Sequence, residues 1–463
     1  MKKKLLCVIL TILFLLPFSA FGAPSSVKSA ASGDYTIVSP YADVIWSGDN
    51  AWGAYKGNLH THSFVSDARV DFRDMILEYY RQGFDFLAMT EHAVTGKAWN
   101  QKQVELPLYT YQRIIGNTVH TLTDAEFEGI TSGAYPVNGK PRGHGMTCVT
   151  GGNELNGLTV TKCHVNGLFL PENVGNNHLG YENDHEGAVR LVEETGGDAV
   201  SFINHPGDWF HGAGDRALSF KPENVDYYAN IILGYDSCLG MEVFNENNSP
   251  TRYDRVLWDN VLMKCLPYGK NVIAFGNSDA HYLNDVDSSF STFMMEENDM
   301  AHIRDTMISG AFFIHTRVMG PDPVLGPKED IGVKNQGLPY PMFTEVSVDG
   351  HKLTVKANEY SNIQWVANGK VIAEQDIAQS AQDSTYTLDL DQIEGAEDFL
   401  YVRCQLIGKG GITLTQAFPI DNGTEPLTYQ RDNSLKAQLG RVLHFLASLR
   451  IFAIIETLIW KLS

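Results

Sequence analysis

Histidines and carboxylates recur in order at the junctions between short apolar runs and loops from residue 55 to residue 318, and this limits the fold more than any other feature. The runs are Gly57 to His62, Asp85 to Thr90, Met146 to Leu155, His164 to Leu170, Ala199 to His205, Gly240 to Phe244 and Val272 to Asn277. Helical patterns lie between and after them, at Phe72 to Arg81, Glu186 to Glu194, Arg252 to Lys264 and Met300 to Ser309. Such alternation predicts βα units around a largely parallel sheet or barrel. A barrel gathers its chemistry at the strand ends. The polar residues fall there: His60 and His62 with Asp67 just beyond, then His92, Glu154, His164, His205, and Asp279 with His281.

Residues i and i+2 of a strand point to one face, so His60 and His62 are spaced to converge on one ion, and Asp279-Ala280-His281 repeats the spacing. Six histidines and three carboxylates suit borderline divalent ions such as Zn²⁺, Mn²⁺ or Fe²⁺. No Cys-x-x-Cys spacing occurs, which argues against a closed structural zinc site. Nine candidate ligands exceed what one ion needs. A centre of two or three metal ions is therefore expected, with Glu154 as the bridging carboxylate.

At these positions the sequence resembles the polymerase and histidinol phosphatase (PHP) family of metal-dependent phosphoesterases. Asn58-Leu59-His60-Thr61-His62-Ser63 with Ser66-Asp67 is similar to its first motif and Met89-Thr90-Glu91-His92 to its second. Gly152-Asn153-Glu154 followed by His164 resembles the third, and Asn204-His205-Pro206 and Asn277-Ser278-Asp279-Ala280-His281 the last two. The resemblance implies an α/β fold, a distorted (β/α)7 barrel over residues 55 to 318. It also implies three divalent ions held by His60, His62, Asp67, His92, Glu154, His164, His205, Asp279 and His281. Glu91 stands where the family usually has Asp, and Ala68 where it has Gly; neither is a ligand position. The expected activity is phosphoester hydrolysis by a hydroxide bridging two ions, with Asp279 or His205 as proton carrier. The same hydroxide attacking an amide or ester is the alternative, and a cell-envelope binding protein is a further one.

The net charge of −20 argues against a nucleic-acid polymer as partner and favours a phosphorylated small molecule or envelope polymer, met locally by bound cations. Lys2, Lys3 and Lys4, the apolar run Leu5 to Phe18 and the small residues up to Gly22 read as an export signal over residues 1 to 22, so the chain is expected to be exported. Beyond it Cys148, Cys163, Cys238, Cys265 and Cys404 form an odd, scattered set, expected mostly as buried thiols.

Between the second and third motifs, Ala93 to Thr147 reads as a specificity insert containing Tyr109, Tyr111, Arg113, His120, Arg142 and His144, with Arg113 or Arg142 as phosphate contacts. Trp209, Phe210 and His211 are candidates for the pocket wall, and Glu242 for a partner of a ligand or a structural group. The Pro- and Gly-rich stretch from Met319 to Leu338 reads as a linker. Alternating segments from 339 to 425 predict a small all-β, sandwich-like domain. Residues 434 to 463 predict an apolar helix that either associates with a membrane or docks on the protein.

Overall fold

The computed structural model describes residues 35–104, 117–155, 163–176, 184–210, 214–245, 251–377, 384–435, 437–439 and 442. The segment read as an export signal lies outside the described residues, as does the apolar stretch from residue 443 onward. Among the described residues no helix is long and apolar enough to cross a membrane.

Strand β1 (Gly53–Asn58) pairs in parallel with β2 (Phe86–Ala88), and β2 with β3 (Thr147–Val149). A second sheet runs in order through β4 (Asn153–Leu155), β5 (Val165–Leu168), β6 (Val200–Ile203), β7 (Cys238–Phe244) and β8 (Ile273–Gly276). In it β5 is antiparallel to both neighbours, whereas β6, β7 and β8 run parallel. The stretch from Met146 to Leu155, expected as one strand, is two. Gly151 breaks it with φ +77°, at a point where a Cβ would sit 2.6 Å from the Leu170 carbonyl oxygen.

Among the described residues the ladders do not close into the expected barrel. The two sheets are joined by two isolated parallel bridges, His92 with Glu154 and Thr61 with Ala280. Candidate ligands occupy the gap, and asparagine side chains take over backbone groups that a continued ladder would pair. Asn277 Oδ1 accepts the Leu59 N–H at 2.8 Å, Asn166 Nδ2 donates to the Leu59 carbonyl at 2.9 Å, and Asn204 Oδ1 accepts the Asn166 N–H at 3.1 Å.

Six helices matter for the frame: α1 (Phe72–Arg81), α2 (Asp124–Ser132), α3 (His185–Thr195), α4 (Pro222–Gly234), α5 (Asp254–Cys265) and α6 (Met300–Ser309). In α1 the buried residues Phe72, Met75, Ile76, Tyr79 and Tyr80 follow the 3.6-residue period and pack with Phe84, Leu87 and Phe290. Burying each such side chain contributes roughly 1.5–3 kcal/mol. Asp74 in the first turn and Arg81 in the last complement the helix dipole.

The sheet of β1 extends outward through antiparallel β9 (Ser289–Met295) and β10 (Phe312–Thr316). Next in sequence come β11 (Met342–Asp349), β12 (Lys352–Asn358), β13 (Asn362–Ala367), β14 (Lys370–Asp376), β15 (Ser384–Asp389), β16 (Tyr401–Gly408), β17 (Gly411–Leu414) and β18 (Phe418–Asp421). Because β17 pairs with β10, one sheet runs from the ligand-bearing strands into the C-terminal ones. Strands β11, β12 and β15 form a separate sheet, and Phe313, Phe343, Leu353, Val355, Trp365, Val402 and Leu406 belong to one buried apolar cluster spanning the two. The cysteines from Cys148 to Cys404 are free thiols, and burial pushes those of Cys148 and Cys238 up to about 12.

Candidate metal centre

Glu154, at the middle of β4, is the hub of the cluster. Its Oε1 lies 3.2 Å from His60 Nε2, 3.2 Å from His164 Nδ1 and 3.3 Å from His205 Nε2. Its Oε2 lies 3.1 Å from His62 Nε2 and 3.0 Å from His92 Nδ1. Asp279 Oδ1 sits 3.2 Å from His60 Nε2 and 3.1 Å from His62 Nε2. Asp67 reaches His281 Nε2 at 3.2 Å and His92 Nε2 at 3.6 Å. All nine residues singled out from the sequence come together.

They fall into four overlapping groups: His62, Asp67, His92 and His281; His60, His205 and Asp279; His60, His62 and Glu154; and His92, Glu154 and His164. Within each group the candidate ligand atoms lie within 4.8 Å of one another. Whether the residues suit divalent ions is tested by their unsatisfied atoms. His60 Nε2, His62 Nε2, His92 Nδ1, His164 Nε2, His205 Nδ1 and Asp279 Oδ1 are buried without a partner in hydrogen-bonding geometry. Buried polar atoms are normally paired, and several orphans in one cluster call for an ion. Imidazole nitrogen with carboxylate oxygen and no thiolate is a donor set for Zn²⁺, Mn²⁺ or Fe²⁺. The residues present fit.

The side chains of Asp67 and His281 are 29% and 25% exposed, against 0% for His60 and His62, so the centre opens to solvent at the Asp67–His281 end. Two of the residues, His205 with φ 25° and Asp279 with φ 47°, hold a left-handed backbone that side-chain-bearing residues rarely adopt. Such strain clusters where surrounding contacts over-determine a functional geometry. The Asp279 N–H is held by the His60 carbonyl at 3.1 Å.

Without bound ions the cluster titrates as ion pairs. Burial alone would lower His92, but the Glu154 and Asp67 carboxylates outweigh it and raise its pKa to about 10; His205, facing Glu154 in the same way, rises to about 9. His164 moves the opposite way, lowered mainly by burial. A raised imidazole stabilises the fold fully below its unfolded pKa of about 6.5 and loses that contribution as pH climbs through the folded value. The buried neutral His164 instead disfavours the fold as pH falls below about 6.5. Metal-stripped protein should therefore lose thermal stability between pH about 6.5 and 10, and again on acidification, while saturating metal flattens the alkaline limb. Parallel alkaline limbs for stripped and loaded protein, followed by calorimetry, would contradict this.

Other candidates fall elsewhere. Arg142 donates to Asp85 at 2.7 Å and to the Tyr80 carbonyl at 3.3 Å, and His144 Nδ1 lies 2.9 Å from Asp85. Asp85 precedes β2, whereas His92 follows it, so both residues brace the end of the strand opposite the cluster and Arg142 is not a phosphate contact. His120 pairs with Asp71 at the start of α1. Tyr109, Tyr111, Arg113 and His211 lie outside the described residues, and Trp209 and Phe210 fall in the 3₁₀ turn Pro206–Phe210. The sequence reading missed the asparagines. Asn204 Nδ2 donates to Glu154 Oε1 at 2.8 Å and to Asn166 Oδ1 at 2.9 Å. Its place directly before His205 at a strand end was an available signal.

No family model matches the chain, and no curated protein does. Among solved structures it is similar to a two-domain protein of Bacteroides vulgatus containing a predicted PHP-like metal-dependent phosphoesterase, at 17% identity and a TM-score of 0.42, over 84% of this chain and 100% of that one. It is also similar to PsfC from Pseudomonas syringae, at 14% identity and a TM-score of 0.29, over 52% of this chain and 83% of the other. A lesion-specific endonuclease of Pyrococcus furiosus, PfuEndoQ, is similar at 17% identity and a TM-score of 0.30, over 59% and 60%. The solved structures similar to this chain thus include one described as PHP-like, the family that its ordered motifs resemble.

Proposed function

We propose that the protein is an exported, PHP-type phosphoesterase that uses two or three divalent ions, Mn²⁺, Fe²⁺ or Zn²⁺, to hydrolyse a phosphate ester. The observation that carries the reading is Glu154, a single buried carboxylate within 3.3 Å of five imidazoles, among side chains with unsatisfied ligand atoms. Divalent ions bound there would supply positive charge to non-bridging phosphate oxygens and lower the pKa of water to about 7, which provides hydroxide without a serine or cysteine nucleophile. The chain itself supplies the geometry and the proton handling. Asp67 and His281 form the open side, through which a phosphate group enters. Either His205 or Asp279, whose Nε2 and Oδ2 lie 3.9 Å apart, is the residue we assign to carrying protons to and from the reacting oxygens, the other staying an ion ligand. Export rests on the sequence of residues 1 to 22, and it favours phosphorylated small molecules or envelope polymers as substrates.

The test is metal analysis of the purified protein combined with a phosphate-release screen over mono- and diesters. The expected result is at least two ions per chain, hydrolysis abolished by a chelator and restored by Mn²⁺, and product inhibition by inorganic phosphate. Stoichiometric metal with hydrolysis of carboxylic esters or amides and none of phosphate esters would overturn the reading.

A further inference from the structure

We propose that two buried carboxylates outside the candidate ligand set, Glu242 and Glu91, are positioning residues that each govern a separate part of the centre, so that one ion can be lost while another is retained. The inference deepens the metal-binding reading above and rests on it.

Glu242, on β7, is fully buried. Its Oε1 contacts His60 Nδ1 at 2.8 Å and accepts from Asn277 Nδ2 at 3.0 Å; its Oε2 accepts the backbone N–H of His205 at 2.9 Å and Asn245 Nδ2 at 2.8 Å. Asn245 Nδ2 also lies 3.4 Å from Asp279 Oδ2. One carboxylate thus fixes a ring, a strained backbone and, through an amide, a second carboxylate. Those three residues, His60, His205 and Asp279, are one of the candidate ion groups. A His60 proton donated from Nδ1 to Glu242 leaves the lone pair on Nε2, the atom facing Glu154 and Asp279.

Glu91 acts on different residues. It accepts the Ser63 N–H at 3.1 Å and the hydroxyls of Ser63 and Ser66. Ser66 Oγ lies 3.3 Å from His62 Nδ1 and 3.5 Å from Asp67 Oδ1. Because the Ser66 proton goes to Glu91, its oxygen is left to accept from His62 Nδ1, and the His62 lone pair is again on Nε2. One carboxylate thus reaches both serines of the turn that presents Asp67. His62 and Asp67, with the adjoining His92 and with His281, make up another ion group, which shares no member with the first. Among the described residues, neither carboxylate hydrogen-bonds to the other's group.

Stepwise Mn²⁺ titration of chelator-stripped protein by calorimetry, with bound metal counted after gel filtration, tests the division. His205→Ala and Asp67→Ala give reference curves for loss of each group. Glu242→Gln turns an amide N–H toward buried donors and should weaken one class of site by roughly 10–100-fold, reproducing the His205→Ala curve while the other class is unchanged. Glu91→Gln should reproduce the Asp67→Ala curve. If Glu242→Gln does not fold, Asn245→Ala carries the same test, with a smaller shift in the same class. Variants that weaken every class equally, or bind as wild type does, overturn the inference. Wild-type protein that binds no Mn²⁺ would instead overturn the metal-binding reading itself.

Discussion

Glu154→Gln should strip the centre of most of its metal and lower kcat/KM by about 10³-fold or more, at least roughly 4 kcal/mol of transition-state stabilisation. Glutamine is nearly isosteric, and its carbonyl can still accept from Asn204, which holds Glu154 Oε1 at 2.8 Å. The negative charge, however, is lost from the point where His60, His62, His92, His164 and His205 converge. Whichever way the amide turns, an N–H faces imidazole nitrogens whose lone pairs are needed for ions. Among the nine candidates no other carboxylate approaches so many imidazoles; Asp67 lies at the exposed end and reaches three. Asp67→Asn should accordingly retain more metal than Glu154→Gln. The effect also appears without any substrate: with Glu154 neutral, the pKa values of His92 and His205 fall back, and the alkaline stability loss of stripped protein between pH about 6.5 and 10 shrinks. Glu154→Gln that keeps its full complement of metal, counted by elemental analysis, would remove Glu154 from the centre.

The site was far more legible in the sequence than the frame that carries it. His60, His62, Asp67 and the other candidates could be read because metal chemistry concentrates distinctive side chains in short segments at strand ends, where local order survives folding. Helix α1 was read with its exact bounds, since five apolar residues on one period fix it. Two helices escaped although they carry start signals. Helix α2 has a Thr123–Glu126 capping box, and α4 begins with Pro222 in its first turn. Helix α2 buries Ile130 alone and so shows little apolar period, whereas α4 buries Val225, Tyr228, Ala229 and Ile232 on one period, a signal that was available and passed over. The antiparallel setting of β5 and the pairing of β10 with β17 were not legible either. Both depend on partners far along the chain, which local alternation does not encode. The barrel expectation failed for a related reason: strand count and order do not reveal that asparagine side chains, rather than ladder bonds, would bridge the gap around Leu59.

Asp259→Ala is the substitution away from the centre with the largest expected cost, about 3–5 kcal/mol of stability, because it breaks one side of a buried ion pair. Asp259, on α5, accepts from Arg403 Nε and NH2 at 2.8 Å each and from the Tyr401 hydroxyl at 2.6 Å, and Arg403 is fully buried on β16. The pair ties a helix packed on β7 to the sheet that continues β10. A second guanidinium makes the loss worse. Arg255 is also buried and shares Gln405 Oε1 with Arg403, at 3.2 and 3.0 Å, and burial together with the Arg403 charge lowers its pKa to about 10. Removing Asp259 leaves Arg403 without its paired anion and takes from Arg255 one of the two carboxylates, the other being Asp322, that offset its burial. Replacing both partners, Asp259→Leu with Arg403→Met, should recover most of the loss, because a well-packed apolar pair avoids the desolvation cost that the ion pair carries. Metal content of the folded protein should not change in any of these variants, since neither residue touches the cluster. Chemical denaturation with metal analysis checks both statements: a cost below about 1 kcal/mol for Asp259→Ala would mean that water reaches Arg403 and solvates its charge.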